Sequence, residues 1–287
     1  MKSGTRPTNI DHRDRDFHRS FGSVVPQTFP QEYLCDAGLT MPDQESVNTF
    51  FIPPVPPLPY GCTDYTQSEL ATDLVLGKQV FNPQDIENIT GANKNGGYDI
   101  RMSLLVAKAL GWINGFYNIK TIAGLDYFDA FRLAQLVGAP EKRSISFGCP
   151  WFPSWEAAIQ GNILIQNSDG SFTTRSGGDS ISIIPMPLPS ELATISKNPL
   201  AYGWHNSKLD GWKMFNNQLV YRDKSLQGKN IGDGGFIYFS RTVINVVMGI
   251  QGTVAFTATN NEPTNIVTIP VTYLQWIISI ICNALGL

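Results

Sequence analysis

The sequence is short of charge. Only 16% of its 287 residues are Asp, Glu, Lys or Arg, against about a quarter in an average soluble domain. Its surface must be rich in uncharged polar groups or be covered by a partner. The formal net charge is −3, and no basic stretch is interleaved with aromatics, which argues against nucleic-acid binding. No run of about 18 apolar residues occurs, so no ordinary membrane span is expected. The polar start of the chain has no apolar core of the kind that marks a secretory leader. Four cysteines, Cys35, Cys62, Cys149 and Cys282, are spaced too widely for a zinc pattern or a dense disulfide framework. Free thiols in a reducing setting are expected, with no metal and no cofactor. Histidine is scarcer still: the chain has only His12, His18 and His205.

Enough remains for a real core, since 42% of a 31.7 kDa chain is hydrophobic. Residues 1–30 carry a mixed-charge run, Asp11 to Arg19, which predicts a solvated arm. The run IPPVPPLP at 52–59 predicts an extended polyproline loop. Helices are expected from Cys62 to Leu74, after Phe81-Asn82-Pro83, from Asp99 to Leu110 with an acidic N-cap and Gly111 as the stop, and from Asp126 to Val137. The second half changes period. Strands are expected at Ser144–Phe147, Asn162–Gln166, Ser171–Thr174, Ile181–Ile184, Leu200–Trp204, Trp212–Phe215, Phe236–Phe239 and Thr253–Thr259. Ser168-Asp169-Gly170 is a hairpin signal between two of them. A helical half followed by an antiparallel β half is an α+β layout.

Cys62 follows Gly61 at a helix start, where the helix dipole favours a thiolate. Six stretches around it occur in the order found in the papain family of cysteine peptidases. They are MPDQ ending at Gln44; YGCT around Cys62; VFNPQDIENIT; NGGYDIRMSLLVAKALG; RSISFGCPWFPSWE with IIPMPLP; and LAYGW, GWKMFNN and IGDGGFIYFSR near the end. The chain thus resembles that family, in particular its divergent bacterial and phage versions, over roughly residues 30 to 245. The resemblance implies a papain-like α+β fold in which a helical half, 31–125, and a barrel-like β half, 126–250, flank a cleft. It gives Cys62 the nucleophile's position, Gln44 that of the oxyanion-stabilising glutamine, and Asn216 that of the group orienting the base.

The same alignment puts Lys197, with Asn198 beside it, where the family has its catalytic histidine. Neither side chain shuttles protons near neutral pH as imidazole does. His205 falls eight residues later, on the order of 25 Å further along an extended strand, and is expected in an exposed turn. The expectation is a papain-fold pseudo-peptidase acting as a binding or assembly subunit, in a reducing compartment or a virion such as a phage particle. The alternative is an active cysteine endopeptidase that uses Cys62 with another base. Residues 251–287 are expected to form an extension ending in an apolar helix, Tyr273 to Leu287. At 1.5 Å per residue it is about 22 Å long, short of a bilayer core. Its polar stripe of Gln275, Ser279 and Asn283 has no Lys or Arg for lipid headgroups. Docking on protein partners or a second copy is expected.

Overall fold

The computed structural model describes residues 5–6, 29–35, 62–75, 80–91, 98–120, 125–136, 144–169, 171–176, 182–224, 231–247 and 251–256. Gln44, His12, His18, the polyproline run and the helix expected at 273–287 lie outside them.

Among the described residues the helical half holds three helices, and the second and third carry caps in their own sequence. Helix α1, Cys62–Leu74, has the bounds expected from sequence. Helix α2, Pro83–Thr90, starts at Pro83 behind Asn82, whose side chain accepts from the Gln84 N–H, and stops at Gly91 in the left-handed conformation. Helix α3, Ile100–Ala109, is capped by Asp99, which accepts from the Met102 N–H at 2.8 Å. Leu70, Phe81, Ile86, Leu104, Trp112 and Ile113 lie in the apolar core between these helices.

The rest is organised on one open antiparallel sheet. Among the described residues its strands run β10–β9–β8–β5–β11–β4. These are β4 Gly115–Ile119, β5 Ile145–Pro150, β8 Trp204–Phe215, β9 Gln218–Lys224, β10 Phe236–Ser240 and β11 Gln251–Phe256. Short strands β1 (Thr5–Arg6), β2 (Tyr33–Leu34) and β3 (Tyr98–Asp99) add to its margin. Strands β6 (Asn162–Gln166) and β7 (Phe172–Ser176) form a separate hairpin. Asp169 closes its turn by accepting from Ser171. The sequence put β11 in an extension beyond the fold. Instead it lies inside the sheet, between β5 and β4. Gly252 permits this, because a Cβ there would stand 2.4 Å from the Phe131 ring.

Four further helices cover the sheet. They are α4 (Tyr127–Leu136), α5 (Pro153–Ile159), α6 (Pro189–Lys197) and α7 (Arg241–Val246). Phe128 and Phe131 of α4 meet Tyr221 edge-on, and Phe131 also meets Phe147. One face of the sheet is thus an aromatic core.

The other face carries α1, and that interface is polar. Every residue of α1 after Cys62 is buried, including Asp64, Gln67, Glu69 and Asp73. Gln67 donates to Ser146 at 3.0 Å and to the Asn206 side chain at 3.2 Å. Lys208 Nζ lies 2.8 Å from Asp73 and 3.5 Å from Glu69, and Lys224 Nζ lies 3.1 Å from Glu69. Ser144 donates to Asp73. Buried charges persist only when paired, so these contacts fix how α1 sits on the sheet.

Candidate functional site

Two of those contacts give α1 its direction. Gln67 meets Asn206 and Asp73 meets Lys208, so helix and strand run the same way. The start of α1, Cys62, therefore lies at the start of β8. The next residue of β8 after Trp204 is His205, directly opposite Cys149 on β5. Directly opposed residues in an antiparallel pair share a face. Cys149 is buried, and burial, then Asp223, then the nearby Cys62 thiol push its pKa well up. Cys149 thus has the Cys62 thiol near it and His205 directly opposite it. Cys62 is only half-buried, whereas Cys149 is 1% exposed, so Cys62 is the thiol within reach of a substrate.

His205 is 3% exposed. Side-chain alternation places it on the opposite face from Asn206, at the rim of the aromatic core. Its ring lies 4.8 Å from that of Trp151. Burial pulls its pKa down to about 4, partly opposed by the negative charge of Glu156. Neither ring nitrogen has a hydrogen-bond partner among the described residues. Near neutral pH the ring is therefore neutral, the form a general base needs, and its lowered pKa makes it a weaker base than an exposed histidine.

This corrects the sequence reading of His205. The stretch LAYGW is not a strand up to Trp204: the Asn198 side chain accepts from the Leu200 N–H and its carbonyl from the Ala201 N–H. That turn delays the strand until Trp204, and His205 becomes a buried strand residue rather than an exposed turn residue. Lys197 is the exposed last residue of α6 and is not on the strand. Asn216 lies with Asn217 in the turn between β8 and β9, both at positive φ (47° and 61°), the pairing a two-residue hairpin favours. Ten strand residues, about 33 Å at 3.3 Å each, separate it from His205. The structure brings neither Lys197 nor Asn216 to Cys62. Gln44 lies outside the described residues.

Just beyond Cys62, Asp64 is fully buried and accepts from the Ser103 hydroxyl at 3.4 Å. Burial first, then the charge of Glu87 and a hydrogen bond with it, hold its pKa well above the usual carboxylate range. A folded-state pKa above the unfolded value gives stability that is full below the unfolded pKa of about 4 and is lost as pH rises through the folded one. Wild type minus Asp64→Asn isolates the Asp64–Glu87 pair, because His205 and the groups outside the pair are common to both. The difference in denaturation midpoint is expected to decline from pH 4 upward; a difference flat from pH 4 to 9 would show that Asp64 is ionised throughout.

No family model matches this sequence, and no curated protein does. Solved structures do match. Xylellain, a cysteine protease from Xylella fastidiosa, superposes with a TM-score of 0.56 at 15% identity, over 90% of this chain and 97% of that one. The bromelain protease from Ananas comosus, solved in complex with the E64 inhibitor, gives 0.50 at 11% identity, over 80% and 100%. The chain has the papain-like fold. Identities this low carry the fold alone, so the chemistry of this papain-like chain rests on its own residues.

Proposed function

We propose that this chain is a cysteine hydrolase of the peptidase type, with Cys62 as nucleophile and His205 as its base. The observation that supports it most is their shared neighbour: Cys149 stands directly opposite His205 and feels the Cys62 thiol. His205 would take the Cys62 proton. The thiolate would add to a peptide carbonyl, and the C–N bond would break as the imidazolium returns its proton to the leaving amine. Water would then cleave the thioester, releasing the acid and restoring the thiol. Gln44 keeps the oxyanion role that the resemblance gave it.

A second reading keeps the fold and drops the reaction, leaving a binding or assembly subunit, with a phage particle among its settings. The near-complete burial of His205 favours it, as a base must reach its substrate. The partner contacts expected of residues 273–287 belong to this reading. Turnover of a broad peptide library decides between the two. The hydrolase reading expects cleavage that Cys62→Ala abolishes and His205→Ala lowers by about 10²–10⁴-fold. Absence of cleavage in the wild type, with peptides still bound, would establish the second reading.

A further inference from the structure

A histidine that serves a thiol needs a neighbour to hold its ring and to steady its protonated form. The Asn216 turn is at the far end of β8. Asp223 faces the same side of the sheet as His205, but one of its oxygens accepts from Ser207, and burial, its first cause, holds its pKa well up. Asp223 pairs across the sheet with Leu209, four residues along β8 from His205. Against the ring itself stands Trp151, with its centroid 4.8 Å from that of His205. The Trp151 indole N–H donates to Glu156 Oε2 at 2.8 Å. Glu156 Oε1 accepts from Gln160 at 2.7 Å. Glu156 lies on α5, one turn from the end of β5, and is half-buried.

Resting on the reading that His205 is the base, we infer that Glu156 is the positioning acid of this site. It holds Trp151 against the His205 ring and supplies the negative charge that steadies the imidazolium. The surrounding charges leave this role to it. Cys149 on β5 faces His205 as a thiol whose pKa is pushed up, Asp223 on β9 is taken by the Ser207 hydroxyl, and Cys62 on α1 gains its charge only when it gives up its proton. Glu156 raises the His205 pKa against the pull of burial. The carboxylate acts through the indole and does not touch the reacting atoms.

Glu156→Gln removes the charge and keeps an acceptor for the indole. Trp151→Phe keeps a ring and removes the N–H. The readouts are the NMR titration of His205 in the full chain and the pH dependence of Cys62 alkylation by iodoacetamide, with thermal midpoints recorded alongside. In Glu156→Gln the His205 pKa is expected to fall by about one unit, and the His205-dependent limb of the alkylation profile to move with it. Trp151→Phe should produce a smaller shift in the same direction. A His205 titration unmoved in folded Glu156→Gln overturns the inference. His205→Ala with unchanged Cys62 alkylation overturns the parent reading instead, while the titration still judges Glu156.

Discussion

Lys208→Ala is expected to cost the fold about 3–5 kcal/mol, the toll of leaving buried charge without its partner. Lys208, Glu69 and Asp73 are all 0% exposed. Lys224 still reaches Glu69, whereas Asp73 loses its ion pair at 2.8 Å. A carboxylate in that position must either remain charged in a low dielectric or take up a proton at neutral pH, and both weaken the folded state. Urea denaturation at pH 7 measures the loss. Replacing both partners, Lys208→Met with Asp73→Asn, should recover most of it, because a pair removed together leaves no orphan. A single variant within about 1 kcal/mol of wild type would mean that the charge is not closed off as drawn. The same interaction bears on chemistry. Asp73 and Lys208 fix the sliding position of α1 along β8 and so hold Cys62 beside the start of that strand. A folded Lys208→Met chain should therefore show Cys62 alkylation less dependent on His205.

This polar interface also explains which parts of the fold were legible in the sequence. Helices α2 and α3 carried their own punctuation, Asn82-Pro83 and Asp99, and their positions follow from it. The β6–β7 hairpin was marked by Asp169. Cys62 could be placed at a helix start from Gly61 and the uninterrupted run after it. The middle of β8 could not be read the same way. Asn206, Ser207 and Lys208 look like a solvated loop, yet all are buried, since one face of the strand meets a polar helix rather than an apolar one. Strand β9 was hidden likewise, with Lys224 paired to Glu69 of α1 and Asp223 accepting from Ser207 on the other face. With both strands unseen, Leu200–Trp204 took the place of β8, Lys197 was aligned with the histidine position, and His205 was pushed beyond the strand's end. Asn216 was misplaced by the same shift. A available signal was the Asn216-Asn217 pair, a two-residue hairpin turn; it fixes the end of one strand and the start of the next, and counting back from it reaches His205 inside β8.

Gly211→Ala is expected to be about as damaging, on the order of 4 kcal/mol from backbone strain and overpacking together. Gly211 has φ +145°, where side chains are rarely tolerated. A Cβ there would lie 1.8 Å from the Tyr33 carbonyl oxygen and 2.8 Å from its carbon. Both obstacles are backbone, so no rotamer change relieves them. Movement of β2 would break the pairing of Tyr33 with Trp212 and Leu34 with Gly211. It would also disturb the bond from the Cys35 N–H to the Asp210 carbonyl at 2.8 Å, the Tyr33–Trp212 ring stack at 5.0 Å, and the bond from the Trp212 indole to Pro30 at 3.0 Å. Gly234→Ala is the matched control. It too has a positive φ, 61°, but nothing lies within 4 Å of its added Cβ, so only the left-handed penalty of about 1–2 kcal/mol applies. Thermal unfolding should place Gly211→Ala roughly 10 °C below wild type, with Gly234→Ala well above it. Equal midpoints for the two variants would mean that β2 does not hold β8 closely at Gly211, and that the bulge between Leu209 and Gly211 is free to relax without it.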